Sequence, residues 1–389
     1  HSNAAFGTCS LYSNTTGYRN NAFGLYALRF NTTGFINDAF GYGTLKANTT
    51  GCNNAAFGSY GLCSNTTGKY NTSSGYYSSL KNTTGCFNTA HGAYALRENT
   101  TANFNTAVGA CSLYANTTGS NNIAVGYQAL KANTCGGCNV AIGNLTMADT
   151  TTGSVNTAVG ACSLFANTTG ARNTASGYGA LKTNTTANNN TAHGFAALNL
   201  NTTGAQNTSI GSYSLQQNTT GTDNTGSGHY AMKANTTGTC NTSIGAYALC
   251  KNTTGNLNTT IGYQSLQANT TAHYNTAVGG CTLFANTTGC RNTAVGFKAL
   301  VANTCGRDNT AVGNNAGYSN TTGCWMTASG KYALFYNTTG CNNVAFGGAS
   351  LCSNTSGCHN TAVGHYSLAA NTTSLRNVAV GMVAMRHNT

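Results

Sequence analysis

The stretch Asn105-Thr106-Ala107-Val108-Gly109-Ala110-Cys111-Ser112-Leu113-Tyr114-Ala115-Asn116-Thr117-Thr118-Gly119-Ser120-Asn121 is followed at Asn122 by the same pattern again. Moving outward from Gly109 in jumps of 17 lands on glycine every time, from Gly7 and Gly24 through Gly126 to Gly381, at 23 positions with no insertion or deletion. A domain with loops of varying length does not do this, so the period decides the fold. The consensus unit is Asn-Thr-Ala-Val-Gly-x-x-Ala-Leu-x-x-Asn-Thr-Thr-Gly-x-x.

Positions in the unit are counted from that glycine as position 0. Asn stands at −4 in 22 of 23 units, Met326 being the exception, and at +7 in 22 of 23, Thr150 being the exception. Val, Ile or Phe precedes the glycine in 17 units, Ala stands at −2 in 18, and Leu at +4 in 18. A unit of 17 residues is too short for a helical hairpin, which needs about 33 or more. It fits one coil of a solenoid. Thr-Ala-Val alternates like a strand, and we expect Val to face a thin core and Ala the outside. Ala-Leu is expected to form a second short strand with Leu facing the same core. Asn-Thr-Thr-Gly reads as a type I turn. The invariant glycines, Gly7, Gly24, Gly109, Gly126 and Gly381 among them, mark a tight bend. The absence of proline agrees with strands bonded on both edges.

The expectation is therefore an all-β chain: one parallel β-solenoid, or β-roll, of 23 coils over 1–389, about 4.8 Å apart and roughly 110 Å long. Each asparagine carries amide donors and acceptors, so two Asn ladders can run from coil to coil. The pattern is already running at His1, and neither end departs from it. Solenoids normally end in polar caps, so we expect coils to continue past both ends or chains to stack head to tail.

The unit, as in Asn105–Leu113, Asn156–Leu164 and Asn292–Leu300, resembles the head repeats of trimeric autotransporter adhesins and repeats of bacterial and phage fibre proteins. The resemblance implies a left-handed roll, three chains packed side by side, and a place on a cell or virion surface. The familiar head unit is shorter than 17 residues, and 17 cysteines are unusual for such heads.

Several motifs could carry chemistry. Asn-Thr-Thr, or Asn-Thr-Ser at Asn354, is an N-glycosylation sequon in 19 units, with Asn14, Asn31, Asn48, Asn65, Asn116, Asn167, Asn218 and Asn252 as candidates. It reads either as a glycan stripe on a secreted fibre or as turn chemistry that imitates a sequon. Paired Thr columns also suggest an ice-binding face. Cys324, Cys341 and Cys358 share position +11 in three consecutive units, Cys135 and Cys138 share a turn, and Cys290 and Cys305 fall in neighbouring units. Disulfides are the expected reading. An odd total leaves at least one thiol over, and Cys135-x-x-Cys138 lacks the second ligand pair that zinc needs.

His91 and His193 fall in the Val column, but with only five acidic residues, scattered along the chain, no catalytic constellation is expected. No cofactor is expected either. The net charge of +12 is spread along the array, so it reads as solubility rather than as a nucleic-acid site. No apolar run reaches the roughly 18 residues of a membrane span. Fourteen of 21 tyrosines stand at +1 or +2, an outer stripe suited to packing between chains or to glycans. The expected function is a structural fibre segment that associates with copies of itself. The alternative is an adhesin head that binds glycan or matrix through its Tyr and Ala faces.

Overall fold

The computed structural model describes residues 2–387. His1, Asn388 and Thr389 lie outside them, and so does the last position of the second Asn column. The fold is a parallel β-solenoid with no helix among the described residues. Twenty-three strands of three residues recur every 17 residues, from β1 (Ala4–Phe6) and β2 (Asn21–Phe23) to β23 (Val378–Val380). The chain divides into two compact units, 1–190 and 191–389, where the period alone suggests one array. The division falls between Asn190 and Thr191, inside an intact Asn-Thr-Ala segment, so nothing in the repeat marks it. The first unit runs from β1 to β11 (Thr174–Ser176) and the second from β12 (Thr191–His193) to β23. Within each unit every strand pairs in parallel with the next, and residue i lies beside i+17, as in Thr106↔Ile123 and Thr276↔Thr293.

Two expectations about the coil are corrected. The core is built of Ala and Leu, not of Val and Leu. Ala107, Ala124 and Ala294 at −2 are fully buried, as are Leu113, Leu130 and Leu300 at +4, whereas Val159, Ile244 and Val312 at −1 are 40–43% exposed. The alternation of the strand was read correctly, but it was assigned to the wrong face. The interior explains the assignment, because the −2 column faces another small-residue column at +3. Ser73 donates to the carbonyl of Ser78 at 3.0 Å, and the two hydroxyls also touch. A β-branched side chain does not fit in that gap, so the larger residue points outward.

The second correction concerns the Ala-Leu segment, which is a turn rather than a strand. Leu at +4 has φ near 50° in coil after coil, for instance Leu28, Leu130 and Leu266, and residues at +2 and +12 are left-handed as well. The segment still bonds to the next coil, with Leu28 N–H donating to Thr44 O and Phe30 N–H to Lys46 O, each at 3.0 Å. The coil therefore keeps coil-to-coil hydrogen bonding in stretches that are not extended. The invariant glycine is required on two grounds. At Gly109 φ is +127°, and an added Cβ would lie 2.7 Å from the carbonyl carbon of Gly126 in the next coil.

Both Asn ladders are present within each unit. At −4, Asn54 takes its main-chain N–H and its Nδ2 to Asn37 Oδ1, both at 3.1 Å, and Nδ2 also reaches Gly68 O at 2.9 Å. At +7, Asn48 Nδ2 donates to Asn31 Oδ1 at 2.8 Å and to Gly51 O at 3.0 Å. The side chain thus closes the Asn-Thr-Thr-Gly turn. The three following N–H groups, of Thr49, Thr50 and Gly51, converge on the single carbonyl of Thr66 at 2.9–3.2 Å. The ladder asparagines Asn37, Asn48 and Asn54 are buried, and their side chains are partnered, as burial requires.

Candidate functional site

With Ala, Leu and Asn turned inward, the outward columns are what the protein presents to a partner. The strand face is the most regular of them. It carries position −3, most often Thr, beside position −1, most often Val, Ile or Phe. Asp38 is the one Asp, Glu, Lys or Arg among the 23 strands. In the second unit Thr holds position −3 in nine consecutive strands, from Thr191 to Thr327. In the first unit Phe23, Phe40 and Phe57 stack in register, with centroids 5.0 and 5.2 Å apart and rings within 9° of parallel. This face was missed because Val was turned inward. Counting volumes in the Ala and Ser columns at −2 and +3 would have found it. His91 and His193 lie exposed on this face, so neither is a buried base.

The Tyr columns at +1 and +2 form a second surface. In the first unit Tyr60 and Tyr77 stack with centroids 5.0 Å apart and rings 2° from parallel, and Tyr77 and Tyr94 follow at 5.9 Å and 12°. Tyr42 and Tyr76 stand edge-on against this stack, 4.9 Å from Tyr60 and 4.1 Å from Tyr77. A side-chain hydrogen bond with Tyr42, with lesser help from desolvation, pushes the Tyr60 phenol up to about 12. A hydrogen bond with Tyr77 moves Tyr76 in the same direction. Cations close off parts of the stripe: Arg29 lies 5.0 Å over the Tyr26 ring and Lys331 lies 5.0 Å over that of Tyr332. In the second unit Tyr213 stacks on Tyr230 at 5.1 Å, and Lys233 lies 4.7 Å over Tyr230. An open hollow lined by Tyr332, Phe335, Tyr336 and Cys352 lies further along that unit.

The sequons do not offer attachment sites in the folded chain. Asn31, Asn48, Asn65, Asn116, Asn167, Asn218 and Asn252 are fully buried, and Asn14 is half-buried. In all eight, Nδ2 already donates to a carbonyl three residues on, at 2.9–3.0 Å. The pattern is ladder chemistry. The paired Thr columns are likewise half committed, because the first hydroxyl of each pair bonds the next coil, as in Thr49 to Thr66 O at 3.1 Å.

The cysteines do not form the expected disulfides. All 17 are free thiols, including Cys324, Cys341, Cys358, Cys135, Cys138, Cys290 and Cys305. In the +11 column the sulfur serves the ladder instead. Cys324 N–H donates to Cys341 Sγ at 3.2 Å, and Cys341 N–H to Cys358 Sγ at 3.1 Å. Identical side chains in register stay one coil apart, about 4.8 Å, whereas a disulfide needs Cβ atoms within about 4.5 Å. Burial pushes the thiols of Cys63, Cys250, Cys341 and Cys352 upward. Among the described residues no group of three or more His, Cys, Asp and Glu is placed to hold a metal ion. No helix among them is long and apolar enough to cross a membrane.

Fold and surface together define the class: a parallel β-solenoid repeat protein with buried Asn ladders. Compared with known proteins, the chain matches no family model and no curated sequence.

Proposed function

We propose that this chain is a structural repeat protein, part of an extracellular or surface fibre in which copies associate side by side through the strand face. The observation that carries the reading is the charge distribution. The chain has 17 Lys and Arg against five Asp and Glu, yet one charged residue falls in the strands. A net charge of +12 repels copies everywhere except across such a face. A sheet face nearly free of charge, with exposed β-branched side chains, packs against another sheet about 10 Å away. The surface location rests on the resemblance of the Asn-Thr-Ala-Val-Gly unit to adhesin heads and fibre repeats. No step of this reading involves catalysis.

Sedimentation and electron microscopy of the full chain at neutral pH test it. Lateral association that disappears in Val278→Lys/Val295→Lys is the expected result. A monomer at every concentration overturns it. The second reading, an adhesin head that binds glycan, is favoured by the aromatic hollow at Tyr332, Phe335 and Tyr336. It no longer has the Ala face, which is buried. Selective capture on a glycan array by an otherwise monomeric chain would establish it.

A further inference from the structure

The tyrosine cluster of the first unit does more than cover the coil. Its rings stack on one another, so their faces are occupied by neighbours. That is a poor platform for a sugar ring, which stacks on an open aromatic face. It is a good arrangement for phenols that react with each other. In-register stacking at 5.0 Å with the rings 2° from parallel sets the ring carbons beside the hydroxyl of Tyr60 against those of Tyr77. Tyr42 and Tyr76 flank the pair and are 39% and 47% exposed, which gives an oxidant two points of entry.

We infer that Tyr60 and Tyr77 form an oxidative cross-linking site, with a haem peroxidase and a peroxide as the oxidising system. Each phenol gives one electron to the oxidant and one proton to water, leaving a phenoxyl radical whose spin extends to the ortho carbons. The two radicals join by a new carbon–carbon bond between ortho positions. Each of those carbons then sheds its hydrogen as a proton while the oxygen takes one up, and both rings regain aromaticity. In sum two phenols lose two electrons and two protons, and one peroxide takes them up to become two waters. The product is a dityrosine bond that ties the coil of Tyr60 to the coil of Tyr77, 17 residues on. The Asn and main-chain ladders hold the two coils in register before the reaction, and the two side chains swing together to form the bond. Cys63 stands beside Tyr60 as a half-buried thiol; by giving its hydrogen atom to the phenoxyl radical it would restore the phenol and carry the radical on its own sulfur, which diverts the site from coupling.

The test treats the dilute full chain carrying Cys63→Ser with horseradish-type peroxidase and hydrogen peroxide. Dityrosine fluorescence is read first, then the linked peptides by mass spectrometry. The expected result is a within-chain 60–77 link as the major product, with yield falling several-fold in Tyr77→Phe. Phenylalanine keeps the stacked ring and so keeps the fold, which circular dichroism confirms. Tyr127→Phe, an exposed tyrosine outside the cluster, is expected to leave the yield unchanged. The proposal is overturned if links are spread over exposed tyrosines such as Tyr12, Tyr70 and Tyr127. It is equally overturned if Tyr77→Phe has no effect or no dityrosine forms.

Discussion

The inside of each coil and its outer strand face obey opposite rules. Inside, a column hardly changes: Asn48, Asn65 and Asn82 make the same two side-chain bonds, to the Asn of the preceding coil and to the carbonyl three residues on. Outside, position −1 passes from Phe57 to Ser74, His91 and Val108 in successive coils with the backbone unaltered. Each buried polar group depends on its copies above and below, so a change inside is felt by three coils. A change outside is felt by one. The fold is written on the inner columns, and whatever the protein recognises is written on the outer ones.

The two Asn columns contain two breaks of this rule, Thr150 and Met326, and they show what the rule is worth. Where Thr150 replaces Asn, neither its hydroxyl nor Asn133 Oδ1 finds a partner. Where Met326 replaces Asn, its main-chain N–H still reaches Asn309 Oδ1 at 3.1 Å, and its sulfur receives Asn337 Nδ2 at 3.3 Å. The first break costs an orphaned acceptor, whereas the second is patched from the other ladder.

The contrast can be tested in order of expected size. Leu113→Ala empties a fully buried site and is expected to cost about 2–5 kcal/mol in urea unfolding; a cost below 1 would mean the core is not where we place it. Asn48→Ala takes from Asn31 Oδ1 its donor and from Asn65 Nδ2 one of its acceptors, at about 1–3 kcal/mol for each group left unpaired. Hydrogen exchange should localise the loss to the coils on either side. Thr150→Asn runs the same experiment backwards. It gives Asn133 Oδ1 a donor, and a gain of about 1 kcal/mol in stability is expected. Val295→Thr, on the outer face, should change stability by no more than about 0.5 kcal/mol. Its effect should appear in sedimentation, as weaker association.

The smallest effect concerns pH. Tyr60 holds its proton in the folded chain up to about 12, above the ordinary value near 10. The folded state then binds more protons than the unfolded one, so this contribution is full below pH 10 and fades as pH rises towards 12. In an absorbance titration, Tyr60→Phe should remove a late-ionising phenol; an unchanged curve would refute the assignment.

The parallel coil, its period, both Asn ladders and the bend at the invariant glycine were all legible in the spacing of Asn, Leu and Gly. What the sequence concealed was direction. Thr106-Ala107-Val108 alternates whichever side faces in, and hydrophobicity favours Val as the core residue. Only the close approach of two small columns, seen where Ser73 meets Ser78, reverses that choice. The second strand failed for a related reason: Leu at +4 was chosen for burial at a position where the backbone must turn left-handed, and propensity carries no sign of that. The disulfide reading failed because Cys was judged as an isolated group; of the two readings of the sequon, the buried ladder favours turn chemistry over a glycan stripe. In a stack, Asn116 and Cys341 are first of all members of a ladder.

That left-handed turn has a consequence for how the molecule is made. Tyr94, Leu96 and Phe104, in a single coil, all have positive φ, a conformation that costs an L-residue roughly 1–2 kcal/mol. One coil by itself has nothing to offset about 3–6 kcal/mol of such strain. It gains the compensating bonds only against a finished neighbour, whose carbonyls are already pointed to receive its N–H groups. Assembly of the chain is therefore a matter of templating. The first few coils form with difficulty, and each later one is moulded on the last.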